Sequence, residues 1–206
     1  MNDWLAHMFA LVCGQNPEHL WVPGGLTLPC CQRCTGLYAG AACALLLHYL
    51  CPPPPTASWK WLHGVFLLQM VPFGFHWLPQ GPVLRTVTGV LFAFGVVAYL
   101  WLIPAARRSS AAAPSPAIPK PGEFNTSEAP MPGTKTTARC YLLGVAATLV
   151  FVPVAAGWGG RFGFFALSGL AALGAVVLAM LAVANIGLGM NALLRRLFRS
   201  KPTAPA

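Results

Sequence analysis

The chain has 206 residues, of which 56% are hydrophobic and 8% charged, with a net charge of +9; its mean hydropathy is +0.63. That balance excludes an ordinary soluble domain, in which about a quarter of residues are charged, and indicates an integral membrane protein. With only four acidic residues in the chain, hydrolysis by paired carboxylates has few groups to draw on.

The opening "MNDWLAHMFALVCG" is apolar but short, and Asp3 stands where a secretory signal is basic, so it is not read as a cleaved signal. It reads as a short interfacial helix, with Trp4 at headgroup depth and Leu5, Met8, Phe9 and Val12 toward the acyl chains. Apolar runs follow at 35–50, 61–78, 83–103 and 141–158, and a fifth runs from 162 to about 190. Each is near or above the roughly 17 to 25 helical residues that cross a bilayer core. The last run holds either one long tilted helix or a span that ends in an interfacial segment near Gly187 and Gly189. The expected fold is therefore all-α, a multi-pass transmembrane helical bundle of about five spans.

Four units follow. A three-span unit covers 1–104, and a Pro-, Ala-, Ser- and Thr-rich segment over 105–139 is expected to be a disordered cytoplasmic linker, because it offers little apolar surface to bury. A two-span helical hairpin covers 140–194, and a basic cytoplasmic tail covers 195–206. Orientation follows from the cations. Lys60, Arg107, Arg108, Lys120, Lys135, Arg139, Arg195, Arg196, Arg199 and Lys201 fall on one side, against Arg33, Arg85 and Arg161 on the other. The linker and C-terminus are expected in the cytoplasm and the N-terminal segment outside. The positive charge then meets anionic headgroups of the inner leaflet and needs no nucleic acid.

The stretch "PCCQRCTG" at 29–36 lies at the outer end of the first span. Cys13, Glu18, His19, Cys30, Cys31, Cys34, His76 and Arg85 are all expected at that face. The Cys-x2-Cys pair Cys31/Cys34 suits a structural zinc or another transition metal, with Cys13 as a third sulfur and His76, or alternatively His19, as the nitrogen. The same pair also fits thiol redox chemistry or a disulfide in an oxidising compartment, or three inert thiols. Arg33 and Arg85 either snorkel to headgroups, or pair with Glu18 or an anion beside the cysteines.

Elsewhere the residues read as packing features. Cys43, Cys51 and Cys140 are given no role. His48 and His63, near the inner ends of the first two spans, are read as hydrogen-bonded or interfacial histidines in preference to haem ligands. Gln69 is expected to bond across helices, Pro153 to kink the fourth span, and the small face of Gly36, Gly40 and Ala44 to let another helix of the bundle approach closely. No span carries a central charge or an internal repeat, which leaves a transporter with little support.

The stretches "VCGQNPEHLWVPGGLTLPCCQRCTGLYAG" and "VPFGFHWLPQGPVLRTVTGVLFAFG" resemble the family of small predicted bacterial and archaeal membrane proteins called domain of unknown function 2085. The matching positions are Cys13, Gln15, Pro17, Glu18, Pro29, Cys31, Arg33, Cys34, Thr35, Gly36, Tyr38, Gly40, Pro72, Arg85, Thr88 and Gly89, within the first hundred residues. The resemblance singles out Cys13, Cys31 and Cys34 and sets Cys30 aside. Gly14 stands where the family often has histidine, His19 where it has arginine, and His76 where aspartate is expected. The family brings no activity with it. The expectation is a membrane protein with an outward metal site of three cysteines and one histidine; the alternative is a membrane thiol-disulfide oxidoreductase using Cys31 and Cys34.

Overall fold

The computed structural model describes residues 2–10, 13–53, 56–75, 77–112 and 134–199. These form seven α-helices: α1 (Asn2–Ala10), α2 (Gln32–Leu50), α3 (Ala57–Leu68), α4 (Met70–Gly74), α5 (Pro82–Ala112), α6 (Thr134–Trp158) and α7 (Gly160–Arg199). Two 3-10 turns, Pro17–His19 and Pro23–Gly25, lie between α1 and α2. Extended pairing among the described residues amounts to a single antiparallel bridge, Leu20 with Cys31.

The start signals are local. Pro82 opens α5, where its missing N–H costs nothing. Between α6 and α7 the chain reverses through Gly160, whose φ of +54° suits glycine.

Close approaches set the topology. A Cβ on Gly36 of α2 would strike the Thr86 backbone of α5, and one on Gly89 of α5 would strike the Arg33 backbone of α2. The two helices therefore meet backbone to backbone and run in parallel, as the small-residue face of α2 leads one to expect. Leu67 lies against Gly95, and Gln69 donates to the Thr88 carbonyl at 2.9 Å, which sets α3 antiparallel to α5. Tyr141, early in α6, reaches His63 of α3, and Gly174 of α7 meets Tyr38 of α2. The core between these helices holds Ala39, Ala41 and Ala44 of α2, Val90, Phe94 and Val97 of α5, Tyr141 and Val152 of α6, and Leu167 of α7.

Among the described residues, three helices are long and apolar enough to cross a membrane, at Pro82–Trp101, Lys135–Trp158 and Gly160–Arg195. Only 28% of the best apolar window of the last is buried within the chain, so its remaining apolar surface needs lipid to cover it. Large aromatics are exposed at both ends of the bundle: Trp77, Trp158 and Phe162 at one, Tyr49 and Trp61 at the other. Such girdles mark headgroup depth.

Several expectations meet different detail. The apolar run 61–78 is interrupted at Gln69, which divides it into α3 and the five-residue α4. The last run is one continuous helix of 40 residues, reaching Arg199. Helix continues to Ala112 and resumes at Thr134, entering both ends of the expected linker; 113–133 and 200–206 lie outside the described residues. Phe9, expected to face lipid, is instead buried in the bundle, its ring centroid 5.1 Å from that of Tyr38.

The largest correction concerns two cysteines given no role. Cys51, at the end of α2, and Cys140, near the start of α6, form a disulfide across 89 positions of sequence. Two lone cysteines so far apart carry no local signal, whereas the fold brings their Cα atoms within 6.1 Å. Closing a loop of that size lowers the entropy of the unfolded chain by an amount worth up to about 4–5 kcal/mol. A Cys51→Ser, Cys140→Ser protein in detergent is expected to unfold several degrees lower by tryptophan fluorescence, and wild type plus reductant to match it. Unchanged melting in both would show that the bond adds no stability.

Candidate metal centre

The site is built from two irregular segments and one helix start. Cys13 follows α1, its N–H donating to the Phe9 carbonyl at 2.8 Å. Gln15 then takes φ +42°, a left-handed conformation that strains a residue with a side chain. Its amide offsets the strain by donating to the carbonyls of Ala6 at 2.7 Å and Pro29 at 2.8 Å. One side chain thus ties α1 to the segment that carries Cys31. Asn16 accepts from the Glu18 N–H at 3.1 Å and caps the turn that follows.

Cys31 is the extended N-cap of α2 and Cys34 lies in its first turn, so the x2 spacing places both thiols at a helix N-terminus, where negative charge is favoured. The Cys31 N–H donates to the Cys13 sulfur at 3.3 Å. The Sγ atoms of Cys13, Cys31 and Cys34 all lie within 4.8 Å of one another. A tetrahedral zinc with thiolate bonds near 2.3 Å needs sulfurs about 3.8 Å apart, so a contraction of about 1 Å at most completes three corners. Cys30 stands apart: it is buried, its sulfur meets the Thr35 hydroxyl at 3.4 Å, and burial pushes its thiol up to about 12.

Within the trio the protons are shared unequally. The thiols of Cys31 and then Cys34 donate to Cys13 and hold it down to about 2, against the opposing effect of burial. The thiols of Cys31 and Cys34 are both pushed up, chiefly by that same partnership with Cys13. Cys13 is therefore the first of the three to ionise.

The sulfurs open into a cavity of about 280 Å³ that is also lined by His19, Arg33, Arg85 and the chain at Gly14, Gln15 and Asn16. His19 is thus brought to the site, while Glu18 is exposed and does not line it. His76 lies outside the described residues. Arg33 does not reach Glu18: its guanidinium donates to the Phe73 carbonyl and the Gln80 side chain, each at 2.9 Å. It fixes the connection between α4 and α5 to the site. Three thiolates around a divalent ion carry a net charge of −1, which the two arginines complement.

Gln15 and Thr86 were not picked out as site residues. The Thr86 hydroxyl accepts from the Trp21 indole at 2.9 Å and has one proton to share between the Pro82 carbonyl at 3.0 Å and the Gln32 carbonyl at 3.2 Å, which pins the incoming segment beside α2 and α5. Gln15 left a signal, since it is one of the positions carrying the family resemblance; Thr86 left none.

Residues 13–99 match the profile of a family described as "Predicted membrane protein (DUF2085)". An uncharacterized protein of Methanothermobacter thermautotrophicus is 32% identical over 92 residues, which is 43% of this chain and 83% of that protein. No solved structure matches.

Because Cys13 is the thiol held low and Cys31 and Cys34 are pushed up, filling the trio with a divalent ion is expected to release about two protons per ion near pH 7. The affinity then rises with pH, by about a hundredfold per pH unit, until the two thiols ionise unaided. Calorimetry in buffers of different ionisation enthalpy counts the protons; release of three would show that all three sulfurs are protonated before the ion binds.

Proposed function

The chain belongs to the DUF2085 family of predicted membrane proteins, and from that premise we propose that it is a multi-pass protein of the cell membrane whose N-terminal face holds a zinc or another transition metal. Cys13, Cys31 and Cys34 are the sulfur ligands, and His76 or His19 supplies the fourth corner. The observation that carries the reading is the convergence of three thiols from two segments, Cys31 and Cys34 at the start of α2 and Cys13 beside the strained Gln15 turn. Bound there, the ion ties the N-terminal segment to α2, while Arg33 and Arg85 complement the charge of the filled site.

Protein purified in mild detergent without chelator is expected to carry about one metal ion per chain by elemental mass spectrometry. Cys13→Ser and Cys31→Ser are both expected to lose it, and His19→Ala and His76→Ala to separate the two candidates for the fourth corner. No metal in wild type, or metal retained in both cysteine variants, would overturn the reading.

One observation favours a second reading, a thiol-disulfide oxidoreductase: the three sulfurs lie within 4.8 Å of one another, close enough for exchange between thiols, and Cys13 is held low by its contact with the other two. Under that reading wild type is metal-free and a Cys31→Ser or Cys34→Ser protein traps a mixed disulfide with its substrate.

The thirteen cations support an insertion with the trio outside and the basic segments facing anionic cytoplasmic headgroups. Single cysteines placed at Trp77 and Trp61, in a background whose other free thiols are removed, report it. An impermeant maleimide added to intact cells is expected to label the cysteine at position 77 and to spare that at position 61. The opposite pattern inverts the insertion.

A further inference from the structure

At the far end of α2 from the trio, three buried polar rings face one another. His48 is in the last turn of α2, His63 is on α3, and Tyr141 is near the start of α6; the first is 4% exposed, the second 2% and the third fully buried. Their ring centroids are 5.2 Å (His48 to Tyr141), 5.7 Å (His63 to Tyr141) and 5.9 Å (His48 to His63) apart.

Hydrogen bonds fix both imidazoles in one tautomer. His48 Nδ1 lies 2.8 Å from the Ala44 carbonyl and His63 Nδ1 lies 2.7 Å from the Trp59 carbonyl. A carbonyl only accepts, so each Nδ1 carries the proton and each Nε2 presents a lone pair. The His63 lone pair accepts from the Tyr141 hydroxyl at 2.7 Å. The His48 Nε2 is buried with no hydrogen-bond partner. Imidazoles anchored through Nδ1–H to backbone carbonyls, with Nε2 free, are the state in which histidine binds metals. Two hydrogen-bonded core histidines would account for His63 but leave the His48 lone pair without a purpose.

We propose that His48 and His63 form a second metal site, selective for a soft monovalent cation of the Cu(I) type, with the Tyr141 hydroxyl released from His63 when the ion enters. Charge decides the valence. None of α2, α3, α5, α6 and α7 contains a carboxylate. The sulfurs nearest in sequence, Cys51 and Cys140, are joined in the disulfide and carry no charge. The Born cost of burying an ion grows as the square of its charge, so a divalent ion held by two neutral imidazoles has about four times the cost of a monovalent one. Zinc needs four ligands where the rings offer two nitrogens and a phenol, whereas Cu(I) is satisfied by two imidazoles. The site stands one turn of α2 below Cys51.

The test uses full-length protein in detergent, disulfide intact, with Cys13, Cys30, Cys31, Cys34 and Cys43 replaced by serine so that no thiol competes. Cu(I) is generated with ascorbate and competed with a chromogenic Cu(I) chelator. One Cu(I) per chain is expected to be retained, with X-ray absorption showing nitrogen and no sulfur around it. His48→Gln is expected to weaken it by about a hundredfold or more, and Tyr141→Phe to retain it. His48→Gln is the discriminating variant, because the Nε2 it removes holds no hydrogen bond in the folded chain. No retained copper, retention unchanged in His48→Gln, or a sulfur signal overturns the proposal. If the serine background does not fold, wild type labelled with 15N-histidine is titrated with Ag(I), a redox-inert analogue, beyond the thiol equivalents. Shifted Nε2 resonances of both residues support the site, and unmoved ones overturn it.

Discussion

Gly36 and Gly89 are the pair of positions on which the arrangement of the bundle turns. Each lies where the other helix's backbone would meet a Cβ, so α2 and α5 approach as closely as two helices can. That contact puts Arg33 against the turn that carries Gly89, and from there its guanidinium reaches the Phe73 carbonyl and Gln80. It also sets Thr86 under the Gln32 carbonyl and in reach of Trp21. The cavity lined by Arg33, Arg85 and the thiols is thus formed by two parallel helix starts held side by side. Separating the helices by the width of one methyl group would loosen every one of these links.

The N-terminal segment is held at many separate points. It joins the bundle through the Gln15 amide, the Leu20–Cys31 bridge, the sulfur of Cys13, the buried ring of Phe9 and the Trp21 indole on Thr86. Its later part also buries Pro23 and Leu28, so it is the stretch around Cys13 whose placement leans on the sulfurs. Ligands drawn from an irregular segment and from a helix N-terminus are a common way for a small structural ion to hold together parts that would not otherwise fold onto each other.

The helices were legible because apolar length is a strong signal, and the internal packing role of Gly36 and Gly40 because small residues four apart mark one helix face. The break at Gln69 was not. The bond of its amide across to the Thr88 carbonyl was expected, but a lone amide in an apolar run gives no warning that the helix ends there. The trio was legible in the sequence: the x2 spacing at a helix start is local, and Cys13 was placed at the same face by the expected topology and singled out again by the family resemblance. The destination of Arg33 was hidden because its partners lie 40 and 47 residues away. The Cys51–Cys140 pairing was hidden for the same reason, since connectivity between distant cysteines is not written in their spacing.

Sulfur stands at both ends of α2 in two oxidation states: thiols at Cys31 and Cys34, a disulfide at Cys51. Nineteen helical residues span about 28 Å, close to the thickness of a bilayer core. On the insertion proposed above, this one helix would connect two compartments of different redox poise. Charge and sulfur rank the two insertions in opposite order: the cations favour the disulfide end inside, whereas thiols are at ease in a reducing compartment and disulfides in an oxidising one. With the basic end inside, Cys140, which is exposed, leaves the bond open to cytoplasmic reductants. The thiols opposite would face oxidants, and an ion held among them would keep Cys31 and Cys34 from closing on each other. On that insertion, metal at one end and electrons at the other become two readings of the same membrane, taken along a single helix.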